Sequence, residues 1–271
     1  PSGFVGGELL KDEKNHAPYL ECKKIDKFDD TALACYEKSG DDFKRIYATD
    51  GKGEFYAVYK RLSPCNVDIL NPDVVSLFIQ KTYDRYYERF KKYFGNVVRG
   101  FFTDEPQYYR YATPYSPAAD EEFKNEFGED IKDGLIYLFF DFESGYKFRT
   151  RYYSVLNKLY TVNYYKRLYD WCDERGAELT GHTVEEPHLF SQMWGSADSM
   201  PSYLYEHIPG IDHLARDGTA EISAKSVGSV AAQTGKKLVM TETFGCSGYG
   251  VTPRELKLIA EKQYVYGVDL M

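Results

Sequence analysis

Residues 97–106 read VVRGFFTDEP, and residues 237–244 read KLVMTETF. Each is a short apolar run that ends in acid: Asp104 and Glu105 close the first, Glu242 the second. Apolar runs of this length, bounded by polar residues, predict buried strands. Their acids then stand at the strands' C-terminal ends. Further strand-like runs lie at 54–62, 177–181 and 210–214, with the start of another at 268–271. Between them fall helical patterns at 71–95, 118–127, 131–142, 146–175 and 222–234, and one that begins at 252. Asn71-Pro72-Asp73 has the form of a helix start, and Gly95 of its stop. Thr252-Pro253-Arg254-Glu255 spells a capping box with proline in the first helical position.

Strand and helix alternate from residue 54 onward with no hairpin between them, the mark of a parallel α/β architecture. A (β/α)8 TIM barrel and an open doubly wound sheet both fit that alternation. Polar residues end several different strands: Asp104 and Glu105, His182, Asp212 and His213, and Glu242. A barrel gathers all such ends into one mouth. An open sheet offers a crevice only at a switch point, usually with a glycine-rich phosphate loop, and neither glycine-rich phosphate motif occurs here. The expectation is therefore a (β/α)8 TIM barrel. Only about six strands are countable from residue 54, so the barrel is expected to be incomplete at both ends. It would form one domain over residues 1–271, with a small β insertion around 19–50.

Composition narrows the function classes. The chain has 271 residues, 43% hydrophobic and 28% charged, with a net charge of −8. That is ordinary globular usage. An acidic chain without a Lys/Arg cluster argues against nucleic acid as a partner, and no apolar run approaches the roughly 20 residues that span a bilayer. Five scattered cysteines with no C-x-x-C pair predict free thiols and a cytoplasmic setting. Tyr (26) and Phe (17) far outnumber Trp (2), which suits either an aromatic core or a cleft whose rings meet sugar C–H faces.

Glu105 and Glu242 carry the sharpest chemical signal. Hydrolysis of a glycosidic bond needs one carboxylic acid to protonate the departing oxygen and one carboxylate at the anomeric carbon. Two glutamates at the ends of different strands in one mouth supply that pair: Glu105 as acid/base, Glu242 as nucleophile or base. His182, Glu185 and Glu186 (GHTVEEPH) form a second group suited to sugar hydroxyls, though H-x-x-E is a weak metal pattern as well. Asp104, His213 and Tyr249 complete the nominated sugar contacts. Asp212, beside His213, fits a loop cap as well as a ligand role. Tyr108, Tyr109 and Tyr111 either wall a cleft or pack on a helix.

Gly100–Pro106 (GFFTDEP) resembles the fourth-strand motif of clan A glycoside hydrolases, in which an Asn-Glu-Pro segment carries the acid/base glutamate. Asp104 stands where that motif has Asn. Residues 241–245 (TETFG) resemble that clan's seventh-strand nucleophile segment. A closer likeness is to a bacterial group within the family 2-like and family 106 (α-L-rhamnosidase-like) glycosidases. It is carried by residues 1–7, 71–90, 101–107, 179–182, 241–250 and 261–271. The resemblance implies a glycoside hydrolase with flanking barrel strands and accessory domains in a parent protein. The family 106 likeness implies inversion and a calcium ion near the sugar; clan A enzymes retain. No cofactor or metal ligand is read from the residues themselves. The expected function is removal of a terminal sugar from an oligo- or polysaccharide. Two alternatives stand: an inverting rhamnosidase-like enzyme with Glu185 or Glu186 as base, and a non-catalytic carbohydrate-binding barrel.

Overall fold

In the computed structural model, residues 7–49, 51–108, 111–216 and 221–271 are described. The first third builds an antiparallel sheet. Its strands are β1 (His16–Ile25), β2 (Ala34–Ser39), β3 (Asp42–Ile46) and β4 (Phe55–Val67). A two-residue strand, β6 (Thr113–Pro114), joins β1, and the order across the sheet is β3-β2-β4-β1-β6. Tyr36, Val58 and Leu20 are fully buried and enter the main core.

Four more strands run parallel in pairs. β5 (Gly100–Asp104) lies beside β7 (Glu178–His182), with Asp104 level with His182. β8 (Gly210–His213) lies beside β9 (Met240–Thr243), with Asp212 level with Glu242. A parallel bridge between Thr180 and Ile208 brings the two pairs together. The order β5-β7-β8-β9 therefore sets four C-terminal strand ends along one edge.

The (β/α)8 TIM barrel expected from the sequence, whole or truncated, is overturned. Among the described residues no ring of strands closes, and the largest sheet is antiparallel. The physical reason lies in what alternation specifies. It places residues on faces but says nothing about the partner strand or its direction. Polar strand ends require a shared C-terminal edge, and four parallel strands provide one without closure. The run at 97–103 is also less buried than expected: Phe102 is 48% exposed and Val97 72%.

The helices follow the sequence in part. Asn71 caps α1 (Pro72–Lys81) by accepting the Asp73 N–H at 2.9 Å. The expected helix over 71–95 then breaks at Thr82, and α2 (Tyr83–Phe90) continues it. α3 (Ala118–Phe127) matches its expected span, whereas 131–142 forms only short 3-10 turns. The long helix expected at 146–175 is α4 (Tyr146–Leu159), a π-helical segment (Tyr160–Lys166) and α5 (Arg167–Asp173). Two short helices, α6 (Leu189–Gly195) and α7 (Met200–Tyr203), lie between β7 and β8, a stretch to which no element is assigned from the sequence. The small residues of α8 (Glu221–Thr234) let it pack on β8, where Ala224, Val227, Val230 and Ala231 cluster with Ile211 and with Val239 just before β9. α9 (Pro253–Val265) opens with the foreseen capping box.

Candidate active site

Glycines bring β5, β7 and β8 close together. A Cβ on Gly181 would meet the Thr103 carbonyl oxygen of β5, and Gly181 has φ +154, where side chains are disfavoured. A Cβ on Gly210 would meet the Gly181 carbonyl oxygen. Two residues on from the Thr180–Ile208 bridge, His182 is level with Gly210. With no side chain at Gly210, His182 reaches across β8 to Glu242 on β9: its Nε2 lies 3.1 Å from Glu242 Oε2. The same nitrogen lies 3.3 Å from Asp104 Oδ1.

His182 is buried, and both ring nitrogens face acceptors, since Nδ1 lies 3.2 Å from the Thr183 carbonyl. Burial opposes a charged ring here. The Glu186 carboxylate, the Thr183 carbonyl, Glu242 and Asp212 outweigh it and raise the imidazole pKa. Acceptors at both ring nitrogens and the nearby carboxylates both favour the protonated ring.

Glu186 braces the site from beneath. Its Oε1 accepts the Thr183 N–H at 2.9 Å, the Thr183 hydroxyl at 3.0 Å and the Tyr203 hydroxyl at 3.2 Å. Its Oε2 accepts the Asp212 N–H at 2.9 Å. One buried side chain thus ties the loop after β7 to β8. Burial pushes its carboxyl up to about 7, against those donors and the charge on His182. Above it lies a cavity of about 250 Å³, lined by residues that include Glu105, Thr183, Glu185, Glu186, Asp212 and Leu214.

The backbone at this edge is unusual. Glu105 (φ 43), Glu185 (φ 59), Ala215 (φ 66) and Phe244 (φ 70) are non-glycine residues in the left-handed region, and each lies within three residues of the end of a parallel strand. Such conformations cost of order 1–3 kcal/mol each and concentrate at functional sites. Tyrosines from the π segment hold the acid motif in this shape. The Tyr160 hydroxyl donates to the Pro106 carbonyl at 2.6 Å, and the Tyr164 hydroxyl pairs with Thr103 Oγ1 at 2.9 Å. These bonds bracket Asp104 and Glu105. Local π-helical turns are rare and recur at functional sites.

No protein-family model matches the chain, and no curated protein matches it. Among solved structures, the rhamnosidase from Novosphingobium sp. PP1Y matches with a TM-score of 0.61 and 18% sequence identity. The likeness is one of fold alone. It covers 80% of this chain and 22% of that one, so the chain spans about a fifth of the rhamnosidase's length.

The structure brings most of the nominated residues to one edge. Glu105, Glu185 and Glu186 line the cavity, while Asp104, His182 and Glu242 form a contact cluster beside it. Tyr249 is fully exposed in the loop after β9. His213 is buried on the face of β8 opposite Asp212, because neighbours along a strand point to opposite faces. Tyr108 is buried against Tyr160 and donates its hydroxyl to the Met193 carbonyl, which makes it core. Tyr111 is 70% exposed. Tyr109 and the first six residues of the segment 1–7 lie outside the described residues. Asp212, left open between cap and ligand, is a cavity wall.

Calcium, implied by the resemblance, does not fit this cluster. Asp104, His182 and Glu242 bring ligand-type atoms within 4.8 Å of one another. Calcium takes six to eight oxygen ligands, whereas this set offers two carboxylates around a histidine nitrogen. The five cysteines are free thiols, and Cys22 is pushed up to about 12 by burial. Among the described residues no helix is long and apolar enough to cross a membrane.

Proposed function

We propose that this chain carries the acid cluster of a glycoside hydrolase that removes a terminal sugar from an oligo- or polysaccharide. The observation that carries the reading is that Glu105, at the end of β5, and Glu242, at the end of β9, stand on the same strand edge. The charges of both bear on Asp212 between them. In the simplest assignment Glu105 gives the proton and Glu242, held by His182, acts at the anomeric carbon as nucleophile or as base for water. The cavity of about 250 Å³ is smaller than the roughly 300–1,000 Å³ typical of drug-sized ligands, a size in keeping with one sugar unit. The rhamnosidase fold neighbour makes rhamnosides the first substrates to try.

A panel of aryl glycosides, rhamnosides included, tests the reading. Glu105→Gln and Glu242→Gln should each lower kcat by at least about 100-fold while leaving the melting temperature within a few degrees of wild type. Little loss from Glu242→Gln removes the two-carboxylate reading, and little loss from Glu105→Gln removes Glu105 as its acid. Should the wild type turn over none of the panel while a sugar still raises its melting temperature, a binding module replaces the enzyme.

A further inference from the structure

We propose that Asp212 is the proton-delivering carboxyl of this cavity, with Glu242 beside it on the neighbouring strand as its anionic partner. The inference rests on the hydrolase reading and changes one role in it, moving the proton from Glu105 to Asp212. Four observations support it. Asp212 lines the cavity. It is level with Glu242 on a parallel neighbour, so both side chains leave the same face, on strands roughly 4.8 Å apart. Its backbone N–H is fixed by Glu186 Oε2, which leaves the side chain at the cavity without serving as a cap. Its Oδ1 is buried and meets no hydrogen-bond partner among the described residues.

An ionised carboxylate with an orphaned buried oxygen is costly, and a neutral carboxyl much less so. Most of the groups facing Asp212 act in the same sense. Burial pushes it up to about 6; His182, from β7, pulls it down, and Glu242, Glu105 and Asp104 push it up again. Glu186 holds its proton over a similar range, but its two oxygens already accept four protein donors and have none left for a substrate. Asp212 combines a retained proton with a place on the cavity wall.

In the proposed step the Asp212 O–H bond breaks and its proton passes to the glycosidic oxygen. That oxygen keeps the electron pair of the breaking C–O bond and leaves as an alcohol. The anomeric carbon takes a Glu242 carboxylate oxygen, as the close spacing of the pair requires; a water oxygen then displaces it at that carbon, and the proton which the water loses returns to Asp212. Glu105 then serves as a wall group that contacts the sugar.

The test uses aryl glycosides whose phenols range from strong to weak acids. Asp212→Asn should slow the weakly acidic phenols by about 100-fold or more and dinitrophenyl glycosides by less than about tenfold, because a good leaving group needs little protonation. The alkaline fall in kcat/KM of the wild type, with a midpoint near 6, should disappear in Asp212→Asn and return, shifted, in Asp212→Glu. An equal loss across all phenols, or an unchanged alkaline limb, overturns the assignment. If Asp212→Asn fails to fold, Asp212→Glu alone decides, by whether its limb moves. If the wild type hydrolyses no glycoside, the hydrolase reading fails separately. Asp212 is then read by 13C NMR of aspartate-labelled protein, where a carboxyl midpoint near 6 sustains proton holding and one near 4 overturns it.

Discussion

Gly210→Ala probes the strand array that the site depends on. Gly210 opens β8, and its N–H is already held by the buried Glu206 Oε2 at 3.0 Å. A methyl there would press into the Gly181 carbonyl oxygen and stand 2.6 Å from Met240 Cε. The methionine end can swing aside. The oxygen belongs to the backbone of β7 and moves only if β7 and β8 part. Overpacking costs about 1–3 kcal/mol, and a backbone clash belongs at the upper end, about 3 kcal/mol. At about 2–4 °C per kcal/mol, the melting temperature falls by roughly 6–12 °C. The separation of β7 and β8 also sets the reach of His182 to Glu242, so turnover at 25 °C should fall with it. Thermal melts followed by circular dichroism read the first effect. Gly128→Ala is the control: Gly128 follows α3 at φ +70 with nothing within 4 Å of an added Cβ, so only the left-handed penalty applies, about 1 kcal/mol. If Gly210→Ala melts no lower than Gly128→Ala, β7 and β8 do not approach as described and the route from His182 to Glu242 is wrong.

Glu186 predicts a pH dependence. Its carboxyl is raised from 4.5 to about 7, so its contribution to stability is fully present below about 4.5 and is lost as pH rises through about 7. The size is on the order of 3 kcal/mol. Glu186→Gln should flatten the melting temperature between pH 4.5 and 7 relative to wild type, and parallel curves would contradict the burial assigned to this side chain. Tyr160→Phe leaves the Pro106 carbonyl without its donor and should cost about 1–3 kcal/mol, with a further loss of kcat as the turn at Glu105 relaxes; a melting temperature equal to wild type would sink the bracing role. Thr252→Ala removes the α9 capping box and should cost about 1 kcal/mol with kcat unchanged, as read by melts and steady-state rates. A loss of activity there would tie α9 to the site.

Features set by neighbours along the chain were legible in the sequence. The Asn71 cap and the Thr252–Glu255 capping box formed as their residues specify, because a cap bonds groups two or three positions away. The four parallel strands lie within two or three residues of the apolar runs that announce them, and their acids do stand at one edge. What failed was non-local. The strands of the first 70 residues pair with one another in antiparallel register, Tyr19 with Arg61 and Tyr36 with Arg45, and alternation carries no signal of strand direction. The π segment was equally hidden, because Tyr160, Tyr164 and Tyr165 fit a helical stripe, and the hydroxyl contacts of Tyr160 with Pro106 and of Tyr164 with Thr103 join residues far apart in the chain.

Asp212 and His213 show how one residue decides a site. Residues 210–214 read Gly-Ile-Asp-His-Leu, too short to reveal which polar neighbour faces the core. A shift of one residue exchanges the faces of a strand, and histidine is the more conspicuous ligand type. The register with β9 resolves the choice, since Glu242 is level with Asp212, while His213 is level with Thr243. The resulting charge balance bears on the chemistry. Asp104, Glu186, Asp212 and Glu242 all bear on His182, more acid than one imidazole can neutralise, and Glu186 and Asp212 meet the excess by holding their protons up to about 7 and about 6. A site arranged in this way favours a reacting group that gains positive charge. The oxocarbenium-like transition state of glycoside cleavage does so, whereas a transition state that gains negative charge would need the opposite lining.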